Sequence, residues 1–204
     1  MSKRGELIVF EGIDGAGTET QSKLLLKYLK SRGIPSERVS YPEYAGPIGR
    51  FIRDYQEMRH ELNLESQVLV YAADMVKDVH VLRKLLNRGI TIVADRYITA
   101  TMAYQGYRGF PPEKIIKLAE IFSMPVPDHI IYLKVSPETS IKRKKKEKKS
   151  LDRNEKDRKS LKGVGQFYLK LASGNVFGKW DVINGEQKAE KVSFGIRNVL
   201  GLEH

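Results

Sequence analysis

Cysteine is absent from the 204-residue chain, which excludes disulfides and thiolate metal sites and fits a cytoplasmic location. Also absent is any apolar run of the roughly 18 residues that a membrane-spanning helix needs, so none is expected. Met1-Ser2-Lys3-Arg4 passes almost directly into a strand-like run, leaving no room for a signal peptide. No internal repeat and no linker-like stretch interrupts the sequence, and its length suits one domain, residues 1–204, with a substantial core. Acidic residues are in the minority, 25 against 36 Lys and Arg, for a net charge of +11. The excess is local: Lys142 to Lys162 holds twelve Lys/Arg against four Asp/Glu, a net +8. Such a segment is either a solvated helix and loop or a basic flap that closes over polyphosphate. A nucleic-acid-binding role is the weaker reading, since aromatic interleaving is missing and one segment makes a small footprint.

What is present is an alternation of short apolar runs with longer amphipathic ones, the pattern of an α/β fold with a parallel sheet. The runs predict five strands, near 6–11, 36–40, 90–95, 129–135 and 180–184. Ile90-Thr91-Ile92-Val93-Ala94 and His129-Ile130-Ile131-Tyr132-Leu133 are nearly continuous in apolar character, as strands buried on both faces are. Helices are expected at 18–31, 48–59, 64–87, 112–123, 137–149, 158–172 and 187–200. Arg32-Gly33 and Arg88-Gly89 form matching helix ends, a cation in the last turn followed by glycine.

Between the first strand and the first helix lies Gly12-Ile13-Asp14-Gly15-Ala16-Gly17-Thr18-Glu19-Thr20. A phosphate-binding loop has the form G-x-x-x-x-G-K-[ST]. Gly12 and Gly17 occupy its glycine positions, but Thr18 stands where the lysine belongs and Glu19 where the magnesium-binding hydroxyl belongs. Backbone N–H groups of such a turn converge at the positive end of the helix dipole, although a tight β–α turn alone would also use these glycines. Asp95-Arg96-Tyr97 ends a buried strand, and ligands of open parallel sheets bind outside the carboxyl ends of the strands. Asp95 can hold Mg²⁺ there and Arg96 can fork onto phosphate oxygens, unless the two merely pair with each other.

Seven stretches in chain order resemble the thymidylate kinases, nucleoside monophosphate kinases of the phosphate-loop fold. They are Phe10 to Gly17, Tyr41-Pro42-Glu43 with Pro47-Ile48-Gly49, Tyr71-Ala72-Ala73-Asp74, Asp95-Arg96-Tyr97, Ala103-Tyr104-Gln105-Gly106, Pro127-Asp128, and Leu151-Asp152-Arg153-Asn154-Glu155. The resemblance implies transfer of the γ-phosphoryl of ATP to dTMP to give dTDP, with Mg²⁺. It implies that Asp14 and Arg96 act at the acceptor nucleotide and its phosphate and that Asp95 helps to hold the metal; apart from the resemblance, the carboxylate of Glu19 is a second candidate metal ligand. Tyr71 would stack on thymine, Thr101 and Gln105 would lie by the acceptor, and Tyr104 would favour deoxyribose. The basic segment, about 142–160, becomes a lid. Because Gly15 and Ala16 leave the loop without an arginine, Arg143, Arg153 or Arg158 would supply one. The resemblance also implies a homodimer with the 64–87 helix at the interface.

The departures are Thr18, Glu19 and Met75, which replaces the arginine that usually reads the thymine carbonyl. A glutamate about 4 Å from a phosphate charge is repelled by roughly 4 kcal/mol at an effective dielectric near 20, unless it coordinates Mg²⁺ instead. Three readings therefore stand: an active, atypical thymidylate kinase, a related kinase with altered acceptor or donor, and a non-catalytic paralogue that binds nucleotides.

Overall fold

A computed structural model describes residues 4–147 and 158–203. Five strands form one parallel sheet: β1 (Leu7–Glu11), β2 (Ser36–Ser40), β3 (Thr91–Asp95), β4 (His129–Lys134) and β5 (Trp180–Asn184), in the order β2-β3-β1-β4-β5. β1 and β3 are buried along their whole length, as helices on both faces of a parallel sheet require. The registers Phe10↔Asp95 and Ser40↔Asp95 bring the carboxyl ends of β1, β2 and β3 level with one another. The loops that follow these strands therefore open into one crevice.

The helices are α1 (Thr18–Ser31), α2 (Pro47–Gln56), α3 (Leu64–Val76), α4 (Val79–Asn87), α5 (Ile98–Tyr107), α6 (Pro112–Ile121), α7 (Pro137–Glu147), α8 (Arg158–Ser173) and α9 (Ala189–Val199). All five strands expected from the sequence are present within a residue or so.

Two helical expectations need correction. The single helix expected over 64–87 is broken at Lys77–Asp78, where Lys77 Nζ donates to the Asp74 carbonyl at 2.6 Å and to Asp78 Oδ2 at 2.8 Å. The apolar stripe Val68, Met75, Val79, Leu82, Leu86 continues across the break, so periodicity gave no sign of it. Conversely, α5 forms where the sequence periodicity predicts no helix. Eight of its ten residues are buried, which leaves no polar face for a helical period to stand against. Among the described residues no helix is long and apolar enough to cross a membrane.

Candidate active site

Gly17 is the N-cap of α1 and sits at φ +96°, and Gly15 sits at φ +76°; both are left-handed conformations that side chains disfavour. The Ala16 N–H closes a turn onto Ile13 O at 3.0 Å. The loop thus wraps the amino end of α1, where the first helical N–H groups lack intrahelical acceptors.

Arg96 is the second fixed point. It follows β3 at φ +67°, an unusual conformation for a residue with a side chain. Its guanidinium donates to Gly12 O at 2.9 Å and to Asp14 Oδ1 at 2.7 Å, so the turn after β3 is tied to the loop after β1. Beneath this pair lies Glu11, fully buried at the end of β1. Its carboxylate accepts from Tyr97 N–H at 3.1 Å, Thr99 Oγ1 at 2.6 Å and Tyr168 Oη at 2.8 Å. Burial pushes its carboxyl up to about 7, against the pull of Arg96 and of those hydrogen bonds. Glu11 therefore clamps the first turn of α5, and with it the strained turn that aims Arg96.

A cavity of about 340 Å³ runs from the loop to α3 and α5, within the size range of small-molecule sites. Its inner wall includes Tyr71, Met75, Gln67, Ala100, Tyr104 and Gln105. Tyr71 is held through a relay in which Tyr44 Oη donates to Gln56 Oε1 at 2.7 Å and Gln56 Nε2 donates to Tyr71 Oη at 3.1 Å. Gln67 is fixed at both ends, its Nε2 donating to Leu62 O at 2.8 Å and its Oε1 accepting from Arg108. The Arg96 guanidinium lies 5.6 Å from the Tyr104 ring centre. At the outer end the wall is Asp14, Gly15, Gly17, Thr18, Glu19, Thr20 and Lys144.

The residues singled out in the sequence are thus mostly gathered at one place, with exceptions. Thr101 is buried in α5 and does not line the cavity. Gly12, Ile13 and Ala16 shape the loop from behind. Asp95 lines the cavity, but its Oδ2 accepts from Arg38 at 2.7 Å, with Ser40 Oγ at 3.4 Å. Arg38 and Ser40 lie two apart in β2 and so face the same side, a spacing visible in the sequence. Glu19 is exposed and bonded to Lys23 at 2.5 Å, one turn along α1. That bond, first among the causes, holds its carboxyl below the usual range. Of the lid arginines, Arg143 donates to Ala16 O at 3.1 Å and Gly185 O at 2.8 Å, Arg158 pairs with Glu138 on the surface, and Arg153 lies outside the described residues. Among the described residues no cluster of three or more His, Asp or Glu could hold a metal ion.

The strand order and the loop joined to Arg96 set a cavity at the carboxyl ends of the strands, and comparison with known proteins gives the family. A family model described as thymidylate kinase matches residues 10–196. The chain belongs to the thymidylate kinase family. A thymidylate kinase of Akkermansia muciniphila is 37% identical over 142 residues, 69% of this chain and 68% of that one. One from Synechococcus is 32% identical over 208 residues, 96% of this chain and 97% of that one. The structure of a Candida albicans thymidylate kinase superposes with a TM-score of 0.78 at 22% identity, over 98% of this chain and 93% of that one. The family model thus includes the loop with Thr18 and Glu19 as well as α3 with Met75.

Proposed function

We propose that the chain transfers the γ-phosphoryl group of ATP to dTMP, yielding ADP and dTDP. An oxygen of the acceptor phosphate attacks the γ-phosphorus, and the bond from that phosphorus to the β,γ-bridging oxygen breaks. Such a reaction needs alignment and charge stabilisation more than covalent chemistry. The observation that carries the reading is Arg96, held between Gly12 O and Asp14 where the inner and outer parts of the cavity meet. An acceptor phosphate arriving there exchanges Asp14 for a forked, charge-assisted contact. The closed relay around Tyr71 offers a fixed aromatic face for a base, and Tyr104 crowds the neighbouring wall. An acceptor side this fully organised favours catalysis over a binding-only paralogue.

Mg²⁺ enters with ATP as part of the substrate. A magnesium ion keeps several waters and needs only one or two carboxylates beside the phosphates, which fits a site without a protein cage. Asp95 would then meet its water shell. Glu19 would have to leave Lys23 to do the same. Arg143, Arg153 and Arg158 remain the candidate lid arginines, with Arg143 already at the loop. A homodimer through the outer face of α3, where Leu69 is 57% exposed, and a cytoplasmic location complete the reading.

Purified protein with ATP and Mg²⁺ should phosphorylate dTMP faster than dUMP, dCMP or UMP. No turnover of any acceptor, with ATP binding retained in calorimetry, refutes the reading. Met75 supports a second expectation. It lines the base end of the cavity, is buried, and carries no donor, so discrimination between thymine and other pyrimidines should be shallower than a site with a paired polar group achieves.

A further inference from the structure

The phosphate loop has no lysine of its own, yet α7 is laid along it and brings cations with it. Ser136 caps this helix, its Oγ accepting from Thr139 N–H at 3.2 Å. Glu186, from beyond β5, accepts from Ser136 N–H at 2.5 Å and fixes the same end. One turn further on, Ser140 Oγ donates to the Asp14 carbonyl, and the Ser140 carbonyl closes on Gly15, where an added Cβ would lie 2.7 Å away. Residues three and four positions beyond Ser140 share its helix face, and these are Arg143 and Lys144. Lys142, Lys145 and Lys146 are exposed, whereas Arg143 and Lys144 are half-buried.

The two inward cations are used differently. Arg143 directs its donors to the loop and Gly185 carbonyls. Lys144 instead lines the cavity beside Asp14, Gly15, Thr18 and Glu19. Its Cγ rests 3.2 Å from where a Gly15 Cβ would be, and its charge contributes to the depressed pKa of Glu19. Pairing with Lys23 offsets the charge of Glu19, a carboxylate in the same wall.

We propose that Lys144 is the donor-side phosphate cation of this protein, supplied by α7 in place of the lysine that the loop lacks at Thr18. The inference rests on the phosphotransferase reading above, and its ligand is the polyphosphate of a nucleoside triphosphate. An ammonium on a flexible four-carbon stem acts as a point charge. Its effect depends on where it sits relative to the phosphates, so the segment that delivers it is secondary.

Calorimetry with MgATP and with AMP, on the full chain, tests it. Lys144→Ala and Lys144→Gln should each weaken MgATP binding about tenfold and leave AMP binding unchanged, because AMP lacks the β- and γ-phosphates. Lys145→Ala, one residue along and exposed, should leave both unchanged. Thr18→Lys should restore MgATP affinity in the Lys144→Ala background and add less to the wild type, the non-additivity expected of a shared role. Unaltered MgATP binding in the Lys144 variants, equal weakening of AMP and ATP, an equal loss in Lys145→Ala, or additive effects of Thr18→Lys and Lys144→Ala would each overturn it. Turnover of dTMP in the same preparations keeps the two readings apart. Lys144-dependent ATP binding without turnover refutes the kinase reading alone, whereas full turnover with Lys144-independent binding refutes this proposal alone.

Discussion

Arg96 and Lys144 line the same cavity and are held in different ways. Arg96 leaves the end of a buried strand, is bonded at both ends of its guanidinium, and rests on a turn that Glu11 clamps from below. Lys144 comes from a helix whose first turn is held by Glu186 and which touches the loop through Ser140. Side chains fixed by packing and mutual hydrogen bonds need no reorganisation when charge arrives. A cation carried by a separate helix can be replaced in sequence without disturbing the sheet. On the proposed role of Lys144, this difference would let the loop carry Thr18 and Glu19 while Asp14, Arg96 and Tyr104 stay in place.

The sharpest way to break the comparison is Arg96→Ala. It should lower kcat/KM for dTMP by about 10²–10³-fold and change MgATP affinity far less, as steady-state kinetics and calorimetry would show. Comparable losses on both sides would mean that the halves are not separate.

Next is Glu11→Gln, through the pH dependence of stability. The buried carboxyl is raised from 4.5 to about 7, so between those values the unfolded chain releases a proton that the folded chain retains. Stability from this group is present in full below about 4.5 and lost as pH rises through about 7, by up to about 1.4 kcal/mol per pH unit. Urea midpoints measured across that window should fall less steeply with pH in Glu11→Gln than in the wild type.

On the donor side, Gly15→Ala places a side chain at φ +76° and against Ser140 O. It should destabilise by about 1–3 kcal/mol and weaken MgATP binding while dTMP binding holds, because α7 is displaced from the loop. The smallest effect is Lys23→Ala, which frees the Glu19 carboxylate. MgATP affinity should drop about threefold at low ionic strength and recover with added salt, as screening of an exposed charge requires.

How much of this was legible beforehand differs by element. The five strands could be read because buried parallel strands are short, apolar and bounded by turn residues. The glycine loop and Asp95-Arg96-Tyr97 could be read because ligand chemistry at strand ends uses a restricted set of residue types. The break at Lys77–Asp78 was hidden by an apolar stripe that continues through it, and α5 was hidden by burial on nearly every side. Glu11 was visible within its motif, but a clamping role depends on Thr99 and on Tyr168, 157 residues away. Arg38 reaches Asp95 across 57 residues through strand pairing that only the sheet creates.

The sequence by itself determined the class of fold, the order of its strands along the chain, and the glycine loop after the first strand, since periodicity, glycine conformation and local motif chemistry are properties of neighbouring residues. Only the tertiary structure decided that Glu19 turns to Lys23, that Asp95 is shared with Arg38, and that α7 sets Arg143 and Lys144 on the loop. Those outcomes depend on distances between residues far apart in the chain. Such distances are set by the packing of the sheet and its helices, which local sequence does not encode.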